Sequence, residues 1–277
     1  MFRKSLLILF SIFVGINANA HGDLHKRILK VTEEIKQYPD SSYLYFKRGE
    51  LYFQHNNFIK SHKDLMTSKR LGDDGDDVQF LLAKCNFELK KYRSSKRLVD
   101  KLIRKQPKNP VVIRLLADIY FERKKFIKSA EAYEDVIKYS NVTYPEYYIY
   151  ASKAWYSTNS EEGVIKAQMI LYQGIESLGN IMVLYNQLVS NYINFGDYSK
   201  AAEVQLKVIE ISPRKERTYL KLACIQEMQK EYADAIISLK YAITHYESLP
   251  YRIKNAKFMK EFYSELNLKK QNLERKI

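Results

Sequence analysis

The sequence predicts an all-α array of stacked helix pairs, and three observations carry that reading. A small-plus-aromatic pattern returns every 34 residues: Gly49, Ala83 and Ala117 keep that interval, as do Phe58, Tyr92 and Phe126. The same interval reappears in the second half between Leu188 and Leu222, Tyr198 and Tyr232, and Ala201 and Ala235. Glycine and proline are scarce, 9 and 6 in 277 residues, which suits long helices joined by short turns. A fixed period of this length is the signature of a repeat array, in which each helix pair buries its apolar face only against its neighbours.

The first twenty residues are expected to lie outside the array. Met1 to Lys4 is a short basic start, Ser5 to Ile16 an apolar run, and Ala18-Asn19-Ala20 places small residues where a signal peptidase cuts. Residues 1–20 are therefore read as a cleavable signal peptide, because the apolar run falls short of the roughly 20 residues a spanning helix needs. No cysteine follows the cleavage point, so a lipoprotein anchor is not expected. The expectation is an exported soluble chain, periplasmic or secreted. In the repeat register Cys85 and Cys224 stand four repeats apart, beyond disulfide reach, and are read as buried free thiols.

The helical elements follow in order. Residues 21–41 hold Leu24, Ile28, Val31 and Ile35 at helical spacing, and Pro39-Asp40-Ser41-Ser42 ends that helix, which reads as an N-terminal cap. The array proper covers 42–250. Its first repeat, 42–75, places Tyr45, Gly49 and Tyr52 on a first helix and Phe58, Ser61 and Leu65 on a second. The repeat at 76–109 shows Leu82, Ala83, Tyr92, Ser95 and Pro107, and the one at 110–143 shows Leu116, Ala117, Tyr120, Phe126, Ser129 and Tyr133. The small residues belong where two helices cross closely, with aromatics filling the space around them.

The fourth repeat, 144–181, departs from the ruler. Tyr150, Ala151 and Ala154 keep the first helix, and the reading places about three extra residues in the turn from Ser157 to Gly163 before Ala167 and Leu171 resume the pattern. The repeats at 182–215 and 216–250 return to strict spacing. The final segment, 251–277, places Ile253, Phe258, Phe262, Leu266 and Leu268 at helical spacing amid basic residues and reads as a capping helix.

With these residues in register the chain resembles the tetratricopeptide repeat family. That family's first helix carries a large residue, then Leu and a small residue, then Tyr; its second carries an aromatic, a small residue and another large one before Pro at the turn. The resemblance covers residues 24 to about 250. It implies a right-handed superhelix of about six helix pairs, whose first helices line a concave groove that holds a protein or peptide ligand. The implied groove residues are Phe46, Phe53, Phe80, Lys84, Phe87, Arg114, Phe121, Tyr148 and Trp155. Phe53, Phe87, Phe121 and Trp155 form an aromatic stripe at the 34-residue interval, readable either as ligand anchors or as packing. Glu50, Asp118, Ser152, Asn186 and Ser190 are the neighbouring groove positions. The pairs Phe46 with Glu50 and Phe80 with Lys84 do not match the family's Lys and Asn clamp for a C-terminal carboxylate.

Charge and chemistry bound the function further. The formal net charge is +14, and loss of Arg3 and Lys4 with the signal peptide leaves +12. Lys84 to Lys108 carries ten Lys or Arg against Glu88 and Asp100, and Tyr251 to Ile277 carries eight against three acids. Such patches attract anionic partners, so an adaptor for a lipid surface or acidic protein is the alternative reading; nucleic acid is not expected. Neither a nucleophile elbow nor a glycine-rich phosphate loop is present, and the histidines are isolated. The sequence therefore predicts no enzyme activity, no cofactor and no metal. A non-catalytic scaffold within an envelope or secreted complex is the leading expectation.

Overall fold

The computed structural model describes residues 23–277; the expected signal peptide lies outside the described residues. The described residues are helical throughout, with short turns between helices. Internal contacts divide the chain into two compact units, one ending at Lys125 and the other beginning at Phe126.

The N-terminal unit holds α1, helical across 23–37, then α2 (Ser42–Gln54), α3 (Phe58–Arg70), α4 (Asp76–Glu88), α5 (Tyr92–Lys105) and α6 (Pro110–Glu122). Each helix packs on the next in sequence, and the first helices α2, α4 and α6 also touch their counterparts. Asn57 and Asn109 cap α3 and α6, their side chains accepting from the backbone N–H of Lys60 and Val111. Pro110 opens α6, where its missing N–H leaves no helical bond unmade.

The 34-residue period has a local cause here. Ser61 on α3 donates its hydroxyl to the carbonyl of Gly49 on α2 at 2.7 Å, and Ser95 on α5 donates to Ala83 on α4 at the same distance. All four residues are buried, so the small residue and the hydroxyl together define each crossing. A β-carbon at Gly49 would stand 3.0 Å from Leu65 Cγ, which accounts for glycine there. The turns repeat as well. Asn56 and Lys90 take left-handed backbone conformation at φ 57° and 58°, and the following N–H groups of Asn57 and Lys91 donate to the carbonyls of Tyr52 and Asn86. This closes the helix C-terminus in a Schellman-type turn.

The C-terminal unit holds α7 (Phe126–Tyr139), α8 (Pro145–Tyr156), α9 (Glu161–Leu178), α10 (Met182–Phe195), α11 (Tyr198–Ile211), α12 (Lys215–Met228), α13 (Tyr232–Glu247), α14 (Tyr251–Lys254) and α15 (Lys257–Glu274). Lys230 repeats the left-handed turn at φ 64°, and Gly196 supplies it at φ 89°.

The irregular fourth repeat is irregular in a different place from the one read in the sequence. Its turn spans 157–160, one residue longer than 55–57 or 89–91. Gly163 keeps the strict step from Ser61, Ser95 and Ser129, and a β-carbon there would collide with Thr158 Oγ1 and the Trp155 carbonyl. The extra residues extend the far end of α9, which has 18 residues where α3 has 13 and α5 and α7 have 14. The substitution of Gly163 for the usual serine hid the register and moved the apparent insertion upstream.

The segment after residue 250 is two helices and not one. A single turn, α14, is followed after Asn255 and Ala256 by α15. Leu266 and Leu273 of α15 bury themselves with Ala223 of α12 and Ala235, Leu239 and Ala242 of α13. Glu227 on α12 accepts from Lys269 of α15 and from Lys276 just beyond its end, so two cations of the basic C-terminal segment hold α15 against α12. No helix among the described residues is long and apolar enough to cross a membrane.

Candidate functional site

Four of the expected groove residues come together in the N-terminal unit. Phe80, Lys84, Phe87 and Glu88 on α4 face Val111, Arg114, Leu115 and Asp118 on α6 across a cavity of about 280 Å³. The positions on α4 are spaced i, i+4, i+7 and i+8, which puts them on one stripe of the helix. Behind the cavity Phe80 and Phe87 pack against the core made by Ala83, Val99, Leu102, Val112, Leu115 and Ile119. Their rings are half-buried, so each presents an edge and keeps a firm seat.

Phe46 and Phe53 stand beside the cavity on α2, packed on Leu65, Val78, Leu82 and Cys85. Lys84 Nζ lies 4.5 Å from the Phe53 ring centroid and 5.9 Å from that of Phe80, which holds the ammonium between two aromatic faces. The aromatic stripe has a packing role too. Phe53 meets Phe58 edge-on at 5.2 Å and Phe87 meets Tyr92 at 5.6 Å, so each ring closing a first helix is braced by the one opening the second. Phe121 is half-buried at the end of α6.

The wall is charge-balanced. Lys84 and Arg114 are matched by Glu88 and Asp118 within the same lining. Nearby, Glu50 is raised above the ordinary carboxylate range by burial and then by the charge of Asp77. The sequence reading missed Glu88, Val111 and Leu115; the first lies one turn beyond Lys84, a spacing that would have found it.

Two expected groove residues are core instead. Tyr148 is 2% exposed and rests against Gly174 of α9, where a β-carbon would come within 2.7 Å of its Cγ. Trp155 is 7% exposed; its indole N–H donates to Glu134 on α7, and Lys166 Nζ stands 4.4 Å from its ring centroid. The register explains Trp155. Ser160 occupies the place of the second-helix aromatics Phe58 and Tyr92 and caps α9, so a lysine covers the ring in their stead. Of the neighbouring positions, Ser152 is buried and accepts from Asn191, which accepts in turn from Gln187. Lys221 on α12 donates to Asn186, and burial lowers its pKa.

Neither thiol is bridged: Cys85 is buried, donating to the Ser61 hydroxyl at 3.1 Å, and Cys224 is half-buried. Burial raises the pKa of both, which disfavours the nucleophilic thiolate. Among the described residues no group of three or more His, Cys, Asp or Glu side chains is placed to hold a metal ion.

Comparison with known proteins agrees with this architecture. Residues 183–215, which take in α10 from its second residue and all of α11, match the tetratricopeptide repeat family model. The C-terminal part of a TPR repeat-containing protein from Cytophaga hutchinsonii superposes with a TM-score of 0.67 at 14% identity, covering 90% of this chain and 98% of that one. A tetratricopeptide repeat protein from Parabacteroides merdae gives 0.58 at 14% identity, covering 92% and 96%. Yeast Tom70 gives 0.52 at 17% identity over 77% of this chain, which spans only 46% of Tom70. No curated protein matches the sequence. The chain thus carries a tetratricopeptide repeat at residues 183–215 and folds as a tetratricopeptide-type array of helix pairs.

Proposed function

We propose that this chain is a non-catalytic scaffold that binds a protein or peptide segment in the cavity between α4 and α6. The observation that carries this reading is the lining itself: two half-buried phenylalanines flanked by Lys84, Arg114, Glu88 and Asp118. Rigid aromatics give contact area at low entropic cost, and balanced charges around them set register and exclude mismatched partners. A volume of about 280 Å³ accommodates one or two side chains of a bound segment and not a large cofactor. The mixed lining suits an extended or helical peptide that offers an apolar anchor with charges of both signs nearby.

The scaffold is proposed to work after export, in an envelope or secreted complex, on the strength of the basic, apolar and small-residue order of residues 1–20. N-terminal sequencing of the mature protein should begin at His21; a chain that retains Met1 would remove export from the reading.

A photo-crosslinking residue at Val111, exposed on the cavity rim, tests the groove. The expected result is a discrete protein adduct in the native compartment that disappears when Phe80 and Phe87 are both changed to Ala. Adducts forming instead from a probe at Ile237, exposed on α13, would move the binding surface out of the cavity.

A further inference from the structure

We propose that the solvent-facing side of α3 and α5 docks onto a membrane surface rich in anionic lipid headgroups. Four cations on α5, Arg93, Arg97, Lys101 and Arg104, are exposed at i, i+4, i+8 and i+11, a stripe about 16 Å long. Lys63 and Arg70 on α3 stand one repeat before Arg97 and Arg104, so the two second helices present cations at equivalent places on the same side of the N-terminal unit. The carboxylates nearby are engaged with other cations: Asp100 with Lys96, Asp76 with Lys105, Asp74 with Lys69, and Asp64 with Arg48. The stripe therefore has a net positive field not cancelled on its own face.

A second feature selects lipid over other polyanions. Ile59 and Met66 stand exposed among these cations on α3, Ile59 at 72%. A headgroup layer accommodates both kinds of side chain, because cations meet phosphates while the apolar groups enter the acyl boundary. A single-stranded nucleic acid would call for stacking surfaces, and the aromatics of these two helices, Phe58 and Tyr92, are half-buried against Phe53 and Phe87; a duplex would engage the cations but leave Ile59 and Met66 without apolar partners. The basic C-terminal segment, the other patch in the sequence, fits the role less well because Lys269 and Lys276 are both committed to Glu227. This face is separate from the cavity between α4 and α6, so either can fail without the other.

The test is co-sedimentation of the full chain with phosphatidylcholine vesicles, with and without phosphatidylserine. The expected result is binding only to the anionic vesicles, lost when salt rises from about 0.1 M to about 0.5 M. Arg97→Glu with Lys101→Glu and Arg104→Glu should weaken it by at least about ten-fold at unchanged helicity. Ile59→Ser with Met66→Ser should weaken it a few-fold with little change in salt dependence. Equal binding to neutral vesicles, binding by the triple charge variant at the parent level, or binding to duplex DNA or heparin without binding to vesicles would each overturn the proposal.

Discussion

Tyr148 and Gly174 are matched to one another: a β-carbon at the glycine would stand 2.7 Å from Tyr148 Cγ and 3.0 Å from Cδ1. Replacing Gly174 by Ala gains about 1 kcal/mol of helix propensity and loses about 1–3 kcal/mol to overpacking, so the variant should be less stable. Val should be worse, since β-branching adds bulk to the same clash. Changing Tyr148 to Leu in the Gly174→Ala background should recover part of the loss. Trp155, the only tryptophan, lies on the same helix as Tyr148, and its fluorescence during denaturant unfolding reads the effect.

A partly buried ion pair ties α2 to α3. Arg48 donates to both carboxylate oxygens of Asp64, at 2.7 and 2.9 Å, and to Thr32 on α1 at 3.2 Å. Arg48→Met would leave the Asp64 carboxylate uncompensated, and because the pair is only partly buried a loss near the low end of the buried-pair range, about 3 kcal/mol, is expected. The double variant Arg48→Met with Asp64→Leu should be far closer to the parent. Equal losses for the single and double variants, by urea unfolding, would show that the charge pairing is not the source.

The left-handed turns hold a third prediction. Lys90, Lys124 and Lys230 sit at φ 58°, 56° and 64°, where a side chain costs about 1–2 kcal/mol. Glycine removes that strain but adds freedom to the unfolded chain, so Lys90→Gly should stabilise by about 0.5–1 kcal/mol net. A lower denaturation midpoint would mean that the Lys90 side chain has a stabilising role larger than its strain.

The array was legible because its cause is repeated. Small residues at Gly49 and Ala83 and serines at Ser61 and Ser95 meet in hydrogen bonds at each crossing, so the spacing of contacts is written directly as spacing of letters. The turn conformation was not legible at the lysines, because lysine carries no left-handed signal and the closing bonds from Lys91 to Asn86 are backbone only. The site was half legible. Helical spacing brought Phe80, Lys84 and Phe87 to one stripe, while Tyr148 and Trp155 were misplaced because their burial depends on Gly174 and Lys166 one helix later.

Docking of α15 should depend on acid. Hydrogen bonds from Lys269 and then Lys276 hold Glu227 below its ordinary value of 4.5. A depressed folded-state value means that the stabilisation is complete above the ordinary value and disappears as pH falls below it through the folded one. Urea midpoints from about pH 6 to about pH 3 should therefore fall more steeply for the parent than for Glu227→Gln. Parallel curves would place the acid sensitivity of the C-terminal unit on other carboxylates.

The lysines in the turns have one more consequence. Lys90-Lys91, Lys124-Lys125 and Lys230 are exposed at the hinge points between first and second helices, where chains are most readily nicked. Brief trypsin treatment should fragment the array at these joints before it cuts the arginines and lysines along the helices. The cut pattern would be a ladder whose smallest rung, from Lys91 to Lys124, is one repeat long: the period of the sequence recovered as a mass.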